Sequence, residues 1–243
     1  MSSPAITDLP IPLLTFDYLG VGVFALTGAL AAARNRHDII AFVAFSILTG
    51  LGGGTLRDLL IGAPVFWVHG SGYIFVCVGA AVLVWTVGER PWRSKALDWF
   101  DAIGLAAYAV LGAAKALNAG VSPVVAVVMG VLTATFGGIL RDLFAGQPSV
   151  LLRREIYISA AVLAAATYAI TTSMGLGSRP AGIVSFLAGL GLRGGAIAFG
   201  WSLPGFETGT RAGRAFTWPA PRAEPVRGRL VARRRCFPPK SGE

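Results

Sequence analysis

Seven apolar segments run along the chain, at residues 13–33, 39–61, 72–87, 100–117, 121–145, 156–172 and 181–203. Charged or Pro/Gly-rich stretches separate them, notably Arg34-Asn35-Arg36-His37-Asp38 and Glu89-Arg90-Pro91-Trp92-Arg93-Ser94-Lys95. Roughly 20 apolar residues in a helix cross the hydrocarbon layer of a bilayer, so the pattern predicts an all-α polytopic membrane protein with seven transmembrane helices.

The pattern is also repeated. A displacement of 84 residues, without a gap, pairs Phe16-Asp17 with Phe100-Asp101, Gly20 with Gly104, Gly28-Ala29 with Gly112-Ala113 and Thr49 with Thr133. It goes on to pair Gly53-Gly54 with Gly137-Gly138, Leu56-Arg57-Asp58-Leu59 with Leu140-Arg141-Asp142-Leu143, Gly62 with Gly146, Pro64 with Pro148 and Tyr73 with Tyr157. Each unit holds three spans, an odd number, so the second copy enters the membrane from the opposite side. The expected architecture is a 3+3 inverted repeat followed by a seventh helix. Helices 2 and 5 are expected to be broken at the glycine clusters Gly52-Gly53-Gly54 and Gly137-Gly138, because consecutive glycines each cost a helix about 1 kcal/mol.

That reading divides the chain into a short extracytoplasmic segment (1–12), a first repeat (13–87), a cytoplasmic linker (88–99), a second repeat (100–172), the seventh span (181–204) and a basic tail (205–243). The opening residues MSSPAITDLP have no positive n-region, so the first span is expected to stay in the mature protein.

Composition supports the membrane assignment, since 54% of the residues are hydrophobic and only 14% are charged. The net charge of +9 does not argue for nucleic acid. Residues 1–204 hold 12 Lys/Arg and 9 Asp/Glu, and residues 205–243 hold 9 and 3, so most of the excess is in the tail. The tail reads as a solvated terminus or as a surface for anionic lipid headgroups. With seven spans, the loops after spans 1, 3 and 5 share a side with the tail, and carry Arg34, Arg36, Arg90, Arg93, Lys95, Arg153 and Arg154. The other side's loops carry only Arg179, which places the N-terminus outside and the C-terminus in the cytoplasm. Cys77 and Cys236 cannot meet across a membrane boundary, and His37 and His69 have no metal-ligand spacing. No metal site and no nucleophile, base and acid set can be assembled, so enzyme chemistry is not expected.

The candidate chemistry lies in charges inside apolar spans, which are expensive and therefore informative. Arg57 and Arg141 follow the two glycine clusters, and each is followed by an aspartate, Asp58 and Asp142. Adjacent helix positions point about 100° apart, so partners at the same depth are expected instead: Asp17 for Arg57 and Asp101 for Arg141. Asp58 and Asp142 are then left to cap backbone or to face a pathway. These charges read either as static glue between helices or as groups that tune conduction or gating. Arg193 is expected near mid-membrane, facing protein or water. Lys115 has two readings, an outward snorkel and a movable basic gate. The glycine clusters likewise read as close packing or as kinks that open a pathway.

The glycine-rich stretches ending in Arg-Asp, the Phe-Asp and Gly-Ala pairs ahead of them, and Arg193 followed by Phe199-Gly200-Trp201-Ser202-Leu203-Pro204 resemble one family. It is the prokaryotic relatives of trimeric intracellular cation (TRIC) channels, a bacterial membrane group also described as glycine-transporter-like. The resemblance covers residues 13–204. It implies a homotrimer in the prokaryotic inner membrane, with a pore in each protomer passing monovalent cations, chiefly potassium. It further implies helices 2 and 5 kinked and lining the pore; no cofactor is expected beyond the permeant potassium ion, with bound lipid left open. The motif residues concerned are Gly52, Gly53, Gly54, Arg57 and Asp58, and Gly137, Gly138, Arg141 and Asp142; Thr49 and Thr133, which open the two stretches, are read from the repeat as further candidate pore or kink residues. The second copy departs from a triple glycine at Phe136, so the two stretches are not equivalent. A carrier for a small neutral amino acid such as glycine is the alternative on the same scaffold. A purely structural or lipid-organising role is the third and weakest reading, given three arginines within the spans.

Overall fold

The computed structural model describes residues 11–88, 96–149 and 156–202. The loop residues Arg90, Arg93, Lys95, Arg153 and Arg154, residues 1–10 and the tail lie outside these residues. Seven helices are described: α1 (Ile11–Arg34), α2 (Ile39–Leu60), α3 (Gly72–Val87), α4 (Ala96–Asn118), α5 (Pro123–Phe144), α6 (Ile158–Ser173) and α7 (Ser178–Phe199). Their ends lie within four residues of those the hydropathy pattern predicts. Helices α2, α4, α5 and α7 are long and apolar enough to cross a bilayer, whereas α3 and α6 are shorter apolar helices of 16 residues.

Local signals explain the ends. Asp38 caps α2 by accepting a hydrogen bond from the Ala41 amide at 2.8 Å, and Pro123 starts α5 where its missing N–H costs nothing. Helices α2 and α5 stop in the same way. Gly62 (φ 68°) and Gly146 (φ 62°) take the left-handed conformation, and the next amides, of Ala63 and Gln147, return to the Asp58 and Asp142 carbonyls at 2.9 Å.

The packing reproduces the repeat. α1 packs on α2 and α3 as α4 packs on α5 and α6, and α2 and α5 pack on each other. α4 stands at the centre, against α1, α5, α6 and α7. α7 packs on α6 and α4 and so lies against the second repeat. The core is dominated by small residues, including Ala102, Ala106, Ala109 and Ala113 of α4 and Ala160, Ala161, Ala164 and Ala165 of α6, all at most 1% exposed. Such residues let membrane helices approach closely, where dispersion contacts replace the hydrophobic drive that lipid does not supply.

The expected breaks are absent. α2 runs as uninterrupted α-helix through Gly52, Gly53 and Gly54, and α5 does so through Gly137 and Gly138. Helix propensity alone favours interruption there, but facing backbone packs directly on Gly53 and Gly137 and side chains pack on Gly52, Gly54 and Gly138, which together hold the helical path.

Candidate functional site

The glycine clusters form the crossing of α2 and α5, and the contact is reciprocal. A Cβ on Gly53 would strike the Thr133 carbonyl, and one on Gly137 would strike the Thr49 carbonyl. Both contacts are backbone against helix surface, related by the 84-residue displacement. The same geometry recurs one layer out, where Gly28 abuts the Phe45 carbonyl and the Thr49 hydroxyl, and Gly112 abuts the Thr133 hydroxyl and Gly130. Thr49 and Thr133 are 1% and 2% exposed. The Thr133 hydroxyl donates to the Met129 carbonyl at 2.6 Å, while that of Thr49 has no hydrogen-bond partner among the described residues. Of the two readings of the glycines, close packing is the one this geometry displays. Gly52 differs in that a Cβ there would lie 2.8 Å from a Leu140 methyl, a flexible side chain that can move.

A charged cluster lies at each end of this helix pair. The first gathers the end of α2, the first half of α1, the start of α3 and the end of α4. Asp58, fully buried, accepts from Arg57 Nε at 2.8 Å, from the Phe66 amide at 3.0 Å and from Lys115 Nζ at 2.8 Å. Asp17 accepts instead from the Tyr73 hydroxyl at 2.9 Å. Among the described residues no ion pair joins Asp17 to Arg57, so that expectation is corrected. The Arg57 side chain is long enough to bend back onto the next residue despite the 100° step, and Asp58 is already fixed in place by the Phe66 amide. Lys115 does not snorkel outward; its side chain, 27% exposed, turns in to Asp58, a fully buried carboxylate that is costly to leave short of partners. Phe66 lies 5.9 Å from both Arg57 and Lys115 and packs edge-on to Tyr73.

The second cluster gathers the end of α5 and the starts of α4 and α6. Arg141, 2% exposed, reaches Asp101 with Nη1 at 2.7 Å, as the repeat predicts. It also holds Asp142, with Nε at 3.0 Å and Nη2 at 2.9 Å. Tyr157, the repeat mate of Tyr73, stands beside this pair. The Cβ that Gly138 lacks would lie 2.9 Å from the Tyr157 hydroxyl, 3.7 Å from Asp101 Oδ1 and 3.8 Å from Arg141 Nη2. Arg193 of α7 is 4% exposed, with its guanidinium 5.1 Å from the centre of the Tyr157 ring and Nη1 donating to the Ile156 carbonyl at 3.3 Å. Arg193 is therefore level with the start of α6 and the second cluster rather than at mid-membrane. The two clusters are separated along α4 by the 14 steps from Asp101 to Lys115, about 21 Å by helical rise.

Tyr73, Tyr157 and Phe66 were not among the residues selected from the sequence. The two tyrosines had a signal, since they pair in the repeat. Phe66 had none, because its role comes from a loop amide and a ring face.

The glycine transporter family model matches the chain twice, at residues 14–89 and 98–173, with the same 84-residue displacement. A UPF0126 membrane protein of Vibrio cholerae is 36% identical over 200 residues, covering 80% of this chain and 82% of that protein. The UPF0126 inner membrane protein YadS of Escherichia coli is 36% identical over 156 residues, or 63% of this chain and 75% of its own. Among solved structures, the TRIC trimeric intracellular cation channel orthologue from Rhodobacter sphaeroides is 43% identical with a TM-score of 0.76, covering 79% of this chain and 100% of that one. A second TRIC cation channel structure is 31% identical with a TM-score of 0.72, covering 79% and 96%. A TRIC channel from C. elegans, at 16% identity, shares the fold, with a TM-score of 0.53. A repeat that the family model matches in both copies, and a likeness spanning the whole of the Rhodobacter protein, place this multi-pass membrane protein: the chain belongs to the prokaryotic TRIC channel family, within the group described as glycine transporter.

Proposed function

We propose that the protein is a monovalent cation channel, selective for potassium, with a pathway inside each protomer along α2 and α5. The observation that carries this reading is the pair of charged clusters at the two ends of the reciprocal α2/α5 crossing, each holding a buried carboxylate of the Arg-Asp pair. Carboxylates at both ends offset the arginines that would otherwise exclude cations. The Rhodobacter relative, a trimeric cation channel orthologue, supports the same reading and extends it to a homotrimer. The N-terminus then lies outside and the tail in the cytoplasm, by the distribution of basic loop residues.

In this conformation α2 and α5 touch backbone to side at Gly53 and Gly137, so conduction requires the crossing to loosen or the pathway to run beside it. Lys115 makes the two ends unequal, because its repeat mate is Ala31. Lys115→Gln removes a positive charge from the first cluster while Arg57 and the Phe66 amide still hold Asp58. Potassium conductance at low salt is expected to rise about 2- to 5-fold, and the gain to fade near 1 M salt, where the Debye length falls to about 3 Å. A salt-independent effect, or none, in single-channel recordings would remove Lys115 from the pathway.

A glycine carrier is the second reading, favoured by the family description and by the closed crossing with a cluster on either side. Purified protein in planar bilayers and liposomes under a potassium gradient separates the two. Unitary currents reversing near the potassium equilibrium potential are expected; saturable glycine uptake without such currents would replace the channel reading with the carrier.

A further inference from the structure

We infer that Arg193, on the helix that lies outside the repeat, is a positioning residue that keeps the second cluster closed by bracing Tyr157. The inference rests on the reading of the two clusters as the ends of a pathway, but not on what passes through it. Three observations support it. First, α7 packs on both α4 and α6, the two helices whose starts form the second cluster, and it brings a cation there: Arg193 lies over the Tyr157 ring, as Lys115 of α4 is brought to Asp58 in the first cluster.

Second, among the described residues the second cluster, like the first, holds two cations and two carboxylates when α7 is included. Arg57, Lys115, Asp17 and Asp58 lie together at one end, and Arg141, Arg193, Asp101 and Asp142 at the other. Lys115 pairs with the Asp58 carboxylate, and the contacts of Arg193 include the Tyr157 ring and the Ile156 carbonyl, to which it donates. A buried guanidinium needs those partners to remain in an apolar layer, so α7 and the start of α6 are tied and move together.

Third, the Tyr157 hydroxyl, the Asp101 carboxylate and Arg141 Nη2 all border the notch left by Gly138. A shift of the Tyr157 ring therefore opens space directly beside the Asp101–Arg141 pair. Arg193 reaches that pair through the ring, which makes it a residue that holds the cluster's geometry.

The test is thiol accessibility in the full chain with Cys77→Ala and Cys236→Ser. Thr135→Cys places a reporter one turn deeper on the face of α5 that carries Gly138, and Leu51→Cys places one at the repeat mate of that position. In chains that keep Arg193, a water-soluble cationic thiol reagent is expected to modify Thr135→Cys slowly. Arg193→Gln and Tyr157→Leu are each expected to raise that rate at least about tenfold, with no further rise when combined, and to leave the Leu51→Cys rate unchanged. Tyr157→Phe, which keeps the ring, and Arg193→Lys, which keeps the charge, are expected to stay within about threefold of the parent.

Unchanged rates at Thr135→Cys in folded Arg193→Gln overturn the inference, and so do equal rises at both reporters, which mark general loosening. If Arg193→Gln does not fold, the contrast between Tyr157→Leu and Tyr157→Phe decides, and equal rates for the two overturn the inference. Potassium currents recorded on the parent chain report on the channel reading separately, because the thiol rates need no conduction.

Discussion

Asp101→Ala is expected to destabilise the folded protein by about 3–5 kcal/mol, whereas Asp17→Ala, its mate in the repeat, is expected to cost only about 1 kcal/mol. Asp101 and Arg141 are each 2% exposed, and their oxygen and nitrogen lie 2.7 Å apart. Removing the carboxylate leaves a guanidinium inside the apolar layer with Asp142 as its remaining anionic partner among the contacts described above. Desolvation of a buried charge is not recovered when half its partners vanish. Asp17, by contrast, accepts from a tyrosine hydroxyl and pairs with no arginine among the described residues. Its loss forfeits one hydrogen bond to a charged group, and Arg57 keeps Asp58 throughout. Thermal unfolding of the two variants in detergent checks the inequality. Equal losses would mean that Arg57 depends on Asp17 as Arg141 depends on Asp101, which would restore the symmetric pairing.

Gly53→Ala and Gly137→Ala come next in size, at about 1–3 kcal/mol each. Alanine is the better helix former by about 1 kcal/mol, so propensity alone predicts a gain. The sign is reversed by what the new methyl meets. At both positions it is a backbone carbonyl of the facing helix, Thr133 or Thr49, which cannot move without moving the helix that carries it. The two clashes act on the same helix pair and push it apart in the same sense. The double variant is therefore expected to cost less than the sum of the singles, since the first separation relieves part of the second. Gly79→Ala on α3 is the control. A Cβ there meets nothing within 4 Å, and unchanged or slightly raised stability is expected. Losses at Gly79 as large as those at Gly53 would show that the glycines matter for helix flexibility rather than for close approach.

These contrasts mark what was readable from one dimension. Span number and bounds were legible because length and apolarity are properties of contiguous residues; the segment 72–87 coincides with α3 at both ends. The inverted repeat was legible because a constant displacement is itself a sequence fact. The Asp101–Arg141 pair followed from topology alone, since the start of one helix and the end of the next must share a depth. The identical argument failed for Asp17 and Arg57. There a second acceptor, Asp58, was held within reach by a loop amide from Phe66, and no helical register contains that information.

The sequence by itself therefore determined the seven helices, their arrangement as two inverted triplets with one helix added, and the set of residues able to carry charge into the apolar layer. Tertiary structure alone decided which of those charges meet. It turned Lys115 inward, gave Arg57 to Asp58, set Arg193 on the ring of Tyr157, and kept α2 and α5 helical through glycines that propensity would break. The physical reason is common to all four. A long charged side chain sweeps a volume that holds several partners, and a glycine permits several backbone paths. In each case the choice is made by neighbours distant in sequence, through the cost of leaving a buried charge unmatched or two backbones in collision.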